Sequence, residues 1–263
     1  MITILSPSKS QDFESAGPTK SSQPVLLDDS SLLVKELKKY SPKKIGELMS
    51  ISENLSILNT DRFKTFKTPF TKKNAKQALF AFTGDVYNGF QLDEYKAKDL
   101  NFAQQHLRIL SGLYGCLRPL DLIQPYRLEM KTKLKNKRGK NLYEFWGEQI
   151  TDELNKSFKH QSDKTLINLA SNEYFKSVKK PLLDATVIDI AFKEVKDGKS
   201  RILALFAKQA RGKMADYIMR NRIDQPEGVK DFNLAGYKFL KKDSTENLYT
   251  FSRKQPPPVS QTK

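Results

Sequence analysis

Short unbroken apolar runs alternate along this chain with longer stretches whose apolar residues recur every three or four positions. ITIL at 2–5, TLINLAS at 165–171 and SRILALFA at 200–207 are nearly all apolar between their ends, the pattern of strands covered on both faces. TVIDIAFKEV at 186–195 is a further β-type run, and KDGK joins it to 200–207 as a hairpin signal. YKFLKKDSTENLYTFSR, at 237–253, reads as a β-hairpin with a polar turn. Helical spacing predicts three helices across 29–66. Asp29 or Ser30 caps the first, with Leu33, Leu37 and Tyr40 inward. Ser41-Pro42 breaks it and opens the second, with Ile45, Leu48 and Met49 inside. Ser52 caps the third, with Glu53 in its first turn and Leu55, Leu58 and Phe63 facing the core. Further helices are predicted over 70–82, 93–107, 142–160 and from Lys208 through the run KQARGKMADYIMRNR, with Ala210, Met214 and Ile218 as its inner face.

The densest stretch is RILSGLYGCLRPLDLIQPYRLEM, 108–130. Its leucines and isoleucines want a core, Gly112 and Gly115 permit tight turns or close backbone approach, and Pro119 and Pro125 stop any long element. The fold class is therefore α/β in a mixed α+β arrangement: one compact domain, 1–254, with a central mixed sheet flanked by helices, then a disordered tail over 255–263. The order of runs lacks the regular βαβ alternation of a doubly wound sheet. There is no internal repeat and no evident linker.

Charge changes the picture most. Lysine and arginine outnumber acids 46 to 30, a net charge of +16. Such an excess favours a polyanionic partner, nucleic acid before an anionic membrane surface. Arg108, Arg118 and Arg127 sit on the bent apolar stretch, where a planar fork is held ready for phosphate. Pairing with nearby Asp121 and Glu129 is the equally open alternative. Lys9 follows the first strand directly, and Lys208 and Arg211 lie at a strand-to-helix junction. Lys213 and Arg220 fall on the outer face of that helix. Lys43 and Lys44, with Lys38 and Lys39, surround the Ser41-Pro42 joint, a placement suited to a helix-hairpin-helix element. The usual hairpin glycines are missing there, so a plain helix pair with solvated lysines stays open. KTKLKNKRGK at 131–140 is a basic run without an acid. No stripe of exposed aromatics suggests a stacking platform, which leaves double-stranded or structured DNA, held through its backbone with low sequence specificity. An enzyme acting on a nucleotide or nucleic acid is the second reading, with Ser6, Lys9, Asp12, Asp85 and Arg211 lining one cleft.

Other chemistry is thinly supplied. One cysteine, Cys116, excludes an internal disulfide and a cysteine-rich zinc site, and its apolar setting marks it as packing. His106 shares a helical face with Phe102 and reads as a buried histidine rather than a base. With two histidines no metal site is expected, and the absence of G-x-G-x-x-G, Walker and nucleophile-elbow motifs leaves no cofactor and no catalytic residue assigned. The first residues, MITILSPSK, lack the basic and apolar regions of a signal peptide, so a soluble, cytoplasmic protein is expected, with no membrane or protein partner.

Several segments together, in order, carry a family likeness: ILSPSKSQDF, SISENLSILNTDRFKTF, FTGDVYNGF, HLRILSGLYGCLRPLDLIQPYRLEM, INLASNEYF, and FAKQARGKMADYIMRNR with DFNLAGYKF. In these the chain resembles the YaaA family of bacterial peroxide stress resistance proteins. The family's usual opening is closer to SPAKT, and this chain keeps the lysine at Lys9 with changed neighbours. The resemblance implies an unusual single-domain α/β fold with a helix-hairpin-helix-like element. It also implies DNA binding and a role in limiting oxidative damage and free iron during peroxide stress.

Overall fold

A computed structural model describes residues 1–257. Strand β1 (Ile2–Leu5) is buried at every position. Three helices follow, α1 (Leu27–Leu37), α2 (Pro42–Met49) and α3 (Glu53–Thr65). Ser41 caps α2 by accepting from the Lys44 amide, with Pro42 at the first helical position. Next come β2 (Lys76–Gln77), the single turn α4 (Ala78–Ala81) and α5 (Ala97–His106), which runs straight into β3 (Leu107–Ser111). The apolar stretch then forms β4 (Gly115–Leu117) and β5 (Leu122–Ile123), before α6 (Leu142–Trp146) and α7 (Gln149–Phe158). Completing the chain are β6 (Thr165–Asn168), α8 (Asn172–Phe175), β7 (Thr186–Lys196), β8 (Lys199–Arg201), α9 (Ala204–Asn221), α10 (Pro226–Val229), β9 (Lys238–Phe239) and β10 (Leu248–Lys254).

The main sheet has eight strands in the order β4-β3-β1-β6-β7-β10-β9, with β8 folded back on β7. Its centre is parallel: β3, β1, β6, β7 and β10 run the same way. β4, β8 and β9 add antiparallel edges. The mixed sheet is as expected, but the parallel centre was hidden. The β1-to-β3 connection spans about a hundred residues, so no βαβ alternation is visible in sequence, yet burial on both faces needs only unbroken apolar runs.

Other differences have local causes. The run 200–207 is strand only as far as Arg201, because Ile202 and Leu205 face solvent and Ala204 opens α9. The helix expected over 70–82 shrinks to α4, and Lys76 and Gln77 pair with β5 instead. The helix over 142–160 breaks at Gly147, which has φ of 51°. Most unexpected is α3: Leu55, Ile57 and Leu58 are exposed while Ser56, Asn59 and Thr60 are buried. Those three polar side chains donate to carbonyls of their own helix at 2.7–2.8 Å, which lets them enter the interior, with Asn59 Oδ1 left without a partner among the described residues. Their small size lets α3 lie close against α2, where a Cβ on Gly46 would stand 3.4 Å from that of Ser56.

The core is continuous across both faces of the sheet and includes Trp146, whose indole N–H donates to the Gly112 carbonyl at 3.0 Å. β10 ends at Lys254, and the Gln255 amide still bonds the Val195 carbonyl at 2.9 Å. Residues 258–263 of the tail expected to be disordered lie outside the described residues.

Candidate phosphate-binding cleft

In the sheet β1 lies between β3 and β6, so successive parallel strands are added on opposite sides of it. Open parallel sheets bind ligands outside the carboxyl ends of their strands at such a reversal. There the chain leaves β1 as Ser6-Pro7-Ser8-Lys9 and leaves β6 as Leu169-Ala170-Ser171. The two exits are tied together. The Ser171 amide donates to Ser6 Oγ at 2.8 Å, the Leu169 amide to the Ile4 carbonyl at 3.0 Å, and the Tyr87 hydroxyl to the Ser6 carbonyl at 2.9 Å.

Two further loops and a helix close around these ends. A Cβ on Gly212 of α9 would stand 1.7 Å from the Val86 carbonyl oxygen. Only glycine lets α9 touch the 84–89 loop backbone to backbone, which sets Arg211 beside Asp85 and Val86 on one wall. A Cβ on Gly112 would likewise stand 2.2 Å from the Leu128 carbonyl oxygen, so Gly112 lets the 126–131 loop pack against the end of β3. The result is a cleft of about 610 Å³.

Five cations line it, Lys9, Arg127, Lys131, Lys208 and Arg211, against three carboxylates, Asp85, Glu129 and Glu173. Glu129 serves three of the cations at once: Lys9 at 3.1 Å, Arg127 at 3.4 Å and Lys131 at 3.4 Å. Burial pushes its carboxyl up, but Lys9 and Lys131 outweigh this and hold it below the ordinary value. Arg211 is different. Its Nε is buried without a hydrogen-bond partner among the described residues, and burial lowers its pKa with no neighbouring acid to offset it. Arg127 also has a buried Nε without a partner. Buried guanidinium N–H groups are normally satisfied. Here two unpartnered donors on different elements belong to residues that line the same cleft.

The remaining predicted cations are placed elsewhere. Arg108 points inward, 8% exposed, donating to the Leu107 and Gln104 carbonyls and to Ser157 Oγ at 2.7–3.1 Å. It pins α5 and α7 to the sheet and has no surface to offer DNA. Arg118 donates to Asp121 from Nε and Nη2 at 3.1 and 2.8 Å and to the Gln23 carbonyl at 2.9 Å. Here the local-pairing reading describes the side chain. Arg220 pairs with Glu94, Gln91 and Asp216 and, with Lys213, lines a second cleft of about 500 Å³. Lys43 and Lys44 are exposed at the start of α2, away from the main cleft. Of the proposed enzyme set, Ser6, Lys9, Asp85 and Arg211 share the cleft, whereas Asp12 is turned to Lys76 and Ser15. Lys9 and Arg211 thus meet in one basic cleft and Arg118 does not.

Sequence reasoning passed over Ser171, Glu173 and Tyr174. The signal was there: INLASNEY repeats the apolar-run-then-polar pattern of ILSPSK, which had marked the end of β1. Cys116 is buried, and burial pushes its thiol up to about 12, as suits packing. His106 stacks on Phe102 with ring centroids 3.8 Å apart and donates from Nδ1 to the Met1 carbonyl at 2.9 Å. Among the described residues no group of three or more His, Cys, Asp and Glu is placed to hold a metal, and no helix is long and apolar enough to cross a membrane.

Fold and cleft together define an α/β protein with a basic cleft at the carboxyl ends of its parallel strands. The family described as Peroxide stress protein YaaA matches residues 1–243, and this chain belongs to it. It is 52% identical over 256 residues to a UPF0246 protein of Teredinibacter turnerae, covering 97% of this chain and 100% of the relative. A UPF0246 protein of Colwellia psychrerythraea matches with the same identity and coverage, 52% over 256 residues, 97% and 100%. One of Acaryochloris marina is 51% identical over 253 residues, covering 96% of this chain and 100% of the relative.

Proposed function

We propose that this chain acts in the peroxide stress response as a DNA-binding protein that limits oxidative damage and free iron, holding DNA mainly by its phosphates at the basic cleft. The family supports the role in peroxide stress. The observation that carries the DNA reading is the meeting of five cations in one cleft, with Arg211 in no ion pair among the described residues. Contacts of that kind are sequence-independent and weaken with added salt, each phosphate neutralised adding about 0.9 to the slope of log affinity against log salt. Electrophoretic shift of duplex and branched DNA over a salt series tests this. Binding should fall steeply with salt, and Lys208→Glu with Arg211→Glu should flatten the slope. Lack of any binding at low salt rejects the reading.

A second reading, an enzyme acting on a nucleotide or nucleic acid, is favoured by one specific placement. Ser6, Lys9, Asp85 and Arg211 share a cleft at the strand ends, where α/β enzymes carry their chemistry. Chromatography of nucleotides and DNA after incubation with the protein tests it. Product formation abolished by Asp85→Asn supports an enzyme, and an unchanged substrate pool argues against one.

A further inference from the structure

The cleft has features that backbone phosphates of a duplex do not explain. Its volume, about 610 Å³, lies within the roughly 300–1,000 Å³ of small-ligand sites. A duplex lies along a groove, whereas a space of this size admits one nucleotide. Its five cations and three carboxylates leave an excess of two positive charges. A backbone phosphodiester carries one negative charge. A phosphomonoester carries about 1.5 to 2 at neutral pH and presents three strong acceptor oxygens.

The open donors fit that group. Of six buried side-chain polar atoms without a partner among the described residues, two are guanidinium nitrogens, Arg127 Nε and Arg211 Nε. Both belong to residues that line this cleft. They come from separate elements, the loop after β5 and helix α9. Arg127 spends one of its other nitrogens on Glu129, while Lys208 stands on the same helix as Arg211, one turn earlier. Val86, Leu128 and Leu169 supply apolar wall beside the charged groups, as a sugar or base requires.

We infer that the cleft is a site for a nucleotide-sized phosphomonoester, its phosphate held by Arg127, Arg211 and Lys208. The ligand is either the terminal 5′-phosphate of a DNA strand or a free nucleoside monophosphate, which share this chemistry. The inference rests on the cleft being the phosphate-binding surface, and it adds a preference for monoesters over diesters.

The test uses the full chain and fluorescence anisotropy with short DNA duplexes that differ only in carrying a 5′-phosphate or a 5′-hydroxyl, and with AMP as competitor. A preference of about tenfold or more for the 5′-phosphate is expected, the scale of one to two charge-assisted hydrogen bonds. Arg211→Met should abolish that preference and Arg211→Lys should reduce it. The comparison of ligands on the unmodified protein needs neither variant to fold. AMP that displaces the labelled duplex, or that binds by calorimetry when no duplex does, assigns the site to free nucleotides. Preference for the phosphorylated end without AMP competition assigns it to DNA ends. Equal affinity for both duplexes with no AMP binding overturns the inference while leaving DNA binding at the cleft intact. Failure of every ligand to bind overturns both.

Discussion

At Arg118 the guanidinium is paired on one edge: Asp121 takes Nε and Nη2, the Gln23 carbonyl takes a further N–H of Nη2, and Asp121 also accepts from the Arg118 amide and from Ser22 Oγ. At Arg211 the guanidinium is partly buried, forms no ion pair among the described residues and leaves Nε unmet. The two residues contribute equally to the net charge of the chain, and both lie in segments that suggested a phosphate contact. Their difference shows that a strongly basic composition does not itself locate a binding surface. What locates it is cationic side chains whose hydrogen bonds the fold leaves incomplete. Arg118 is a strut that uses its charge internally. Arg211 carries a desolvation penalty that a bound anion would relieve.

The comparison breaks most visibly at the strut. Asp121→Ala leaves Arg118 and Ser22 without their acceptor and should lower stability by about 3 kcal/mol, the low end for a broken buried pair because Arg118 keeps 32% of its side chain in water. A urea midpoint shift at constant slope measures it, and DNA affinity at a temperature where the variant is folded should not change. Gly212→Ala should cost about 1–3 kcal/mol through overpacking against the Val86 carbonyl. Because the 84–89 loop must shift, it should weaken DNA binding as well, which hydrogen exchange of that loop would accompany.

Arg211→Met is the opposite case. It removes a desolvated charge without orphaning a partner, so stability should hold or rise by up to about 1 kcal/mol while DNA affinity falls about tenfold. A parallel loss of stability would show that Arg211 is a strut like Arg118. Lys43→Glu with Lys44→Glu tests the start of α2 as an additional contact. Its effect on affinity should be smaller than that of the cleft variants, and unchanged affinity removes α2 from the interface.

The smallest effect concerns pH. Burial lowers the His106 pKa below its ordinary 6.5. The unfolded chain therefore takes up the proton first as pH falls, and stability should decline from about pH 6.5 downward, with no change above it. His106→Asn should flatten this part of a stability–pH curve. A curve that stays steep would place the titrating group elsewhere.

Much was legible from residue order alone. Predominantly apolar runs marked β1 and β6 because a strand buried on both faces carries few polar positions, here Thr3, Thr165 and Asn168. Ser41-Pro42 marked the start of α2 because capping is a local matter. Lys9 was singled out by its position just beyond β1, whereas Lys208 and Arg211 were expected at a strand-to-helix junction and instead lie inside α9, which begins at Ala204. Other features escaped because they are settled between distant segments. The inward face of α3 depends on small polar residues meeting Gly46 of α2, against the direction its leucines suggest. The strand expected through residue 207 ends at Arg201, because the fold leaves Ile202 and Leu205 in solvent instead of covering them as a central strand would be.

The sequence by itself determined that this is a basic α/β protein, where β1, β6 and β7 lie, and that Lys9 stands next to a strand end. Those properties follow from composition and from neighbours a few residues apart. Only the tertiary structure decided which cations are used up and which remain open. That depends on whether an acceptor from elsewhere in the chain reaches each guanidinium: Asp121 and Gln23 reach Arg118, backbone carbonyls reach Arg108, and no described residue reaches the Nε of Arg211.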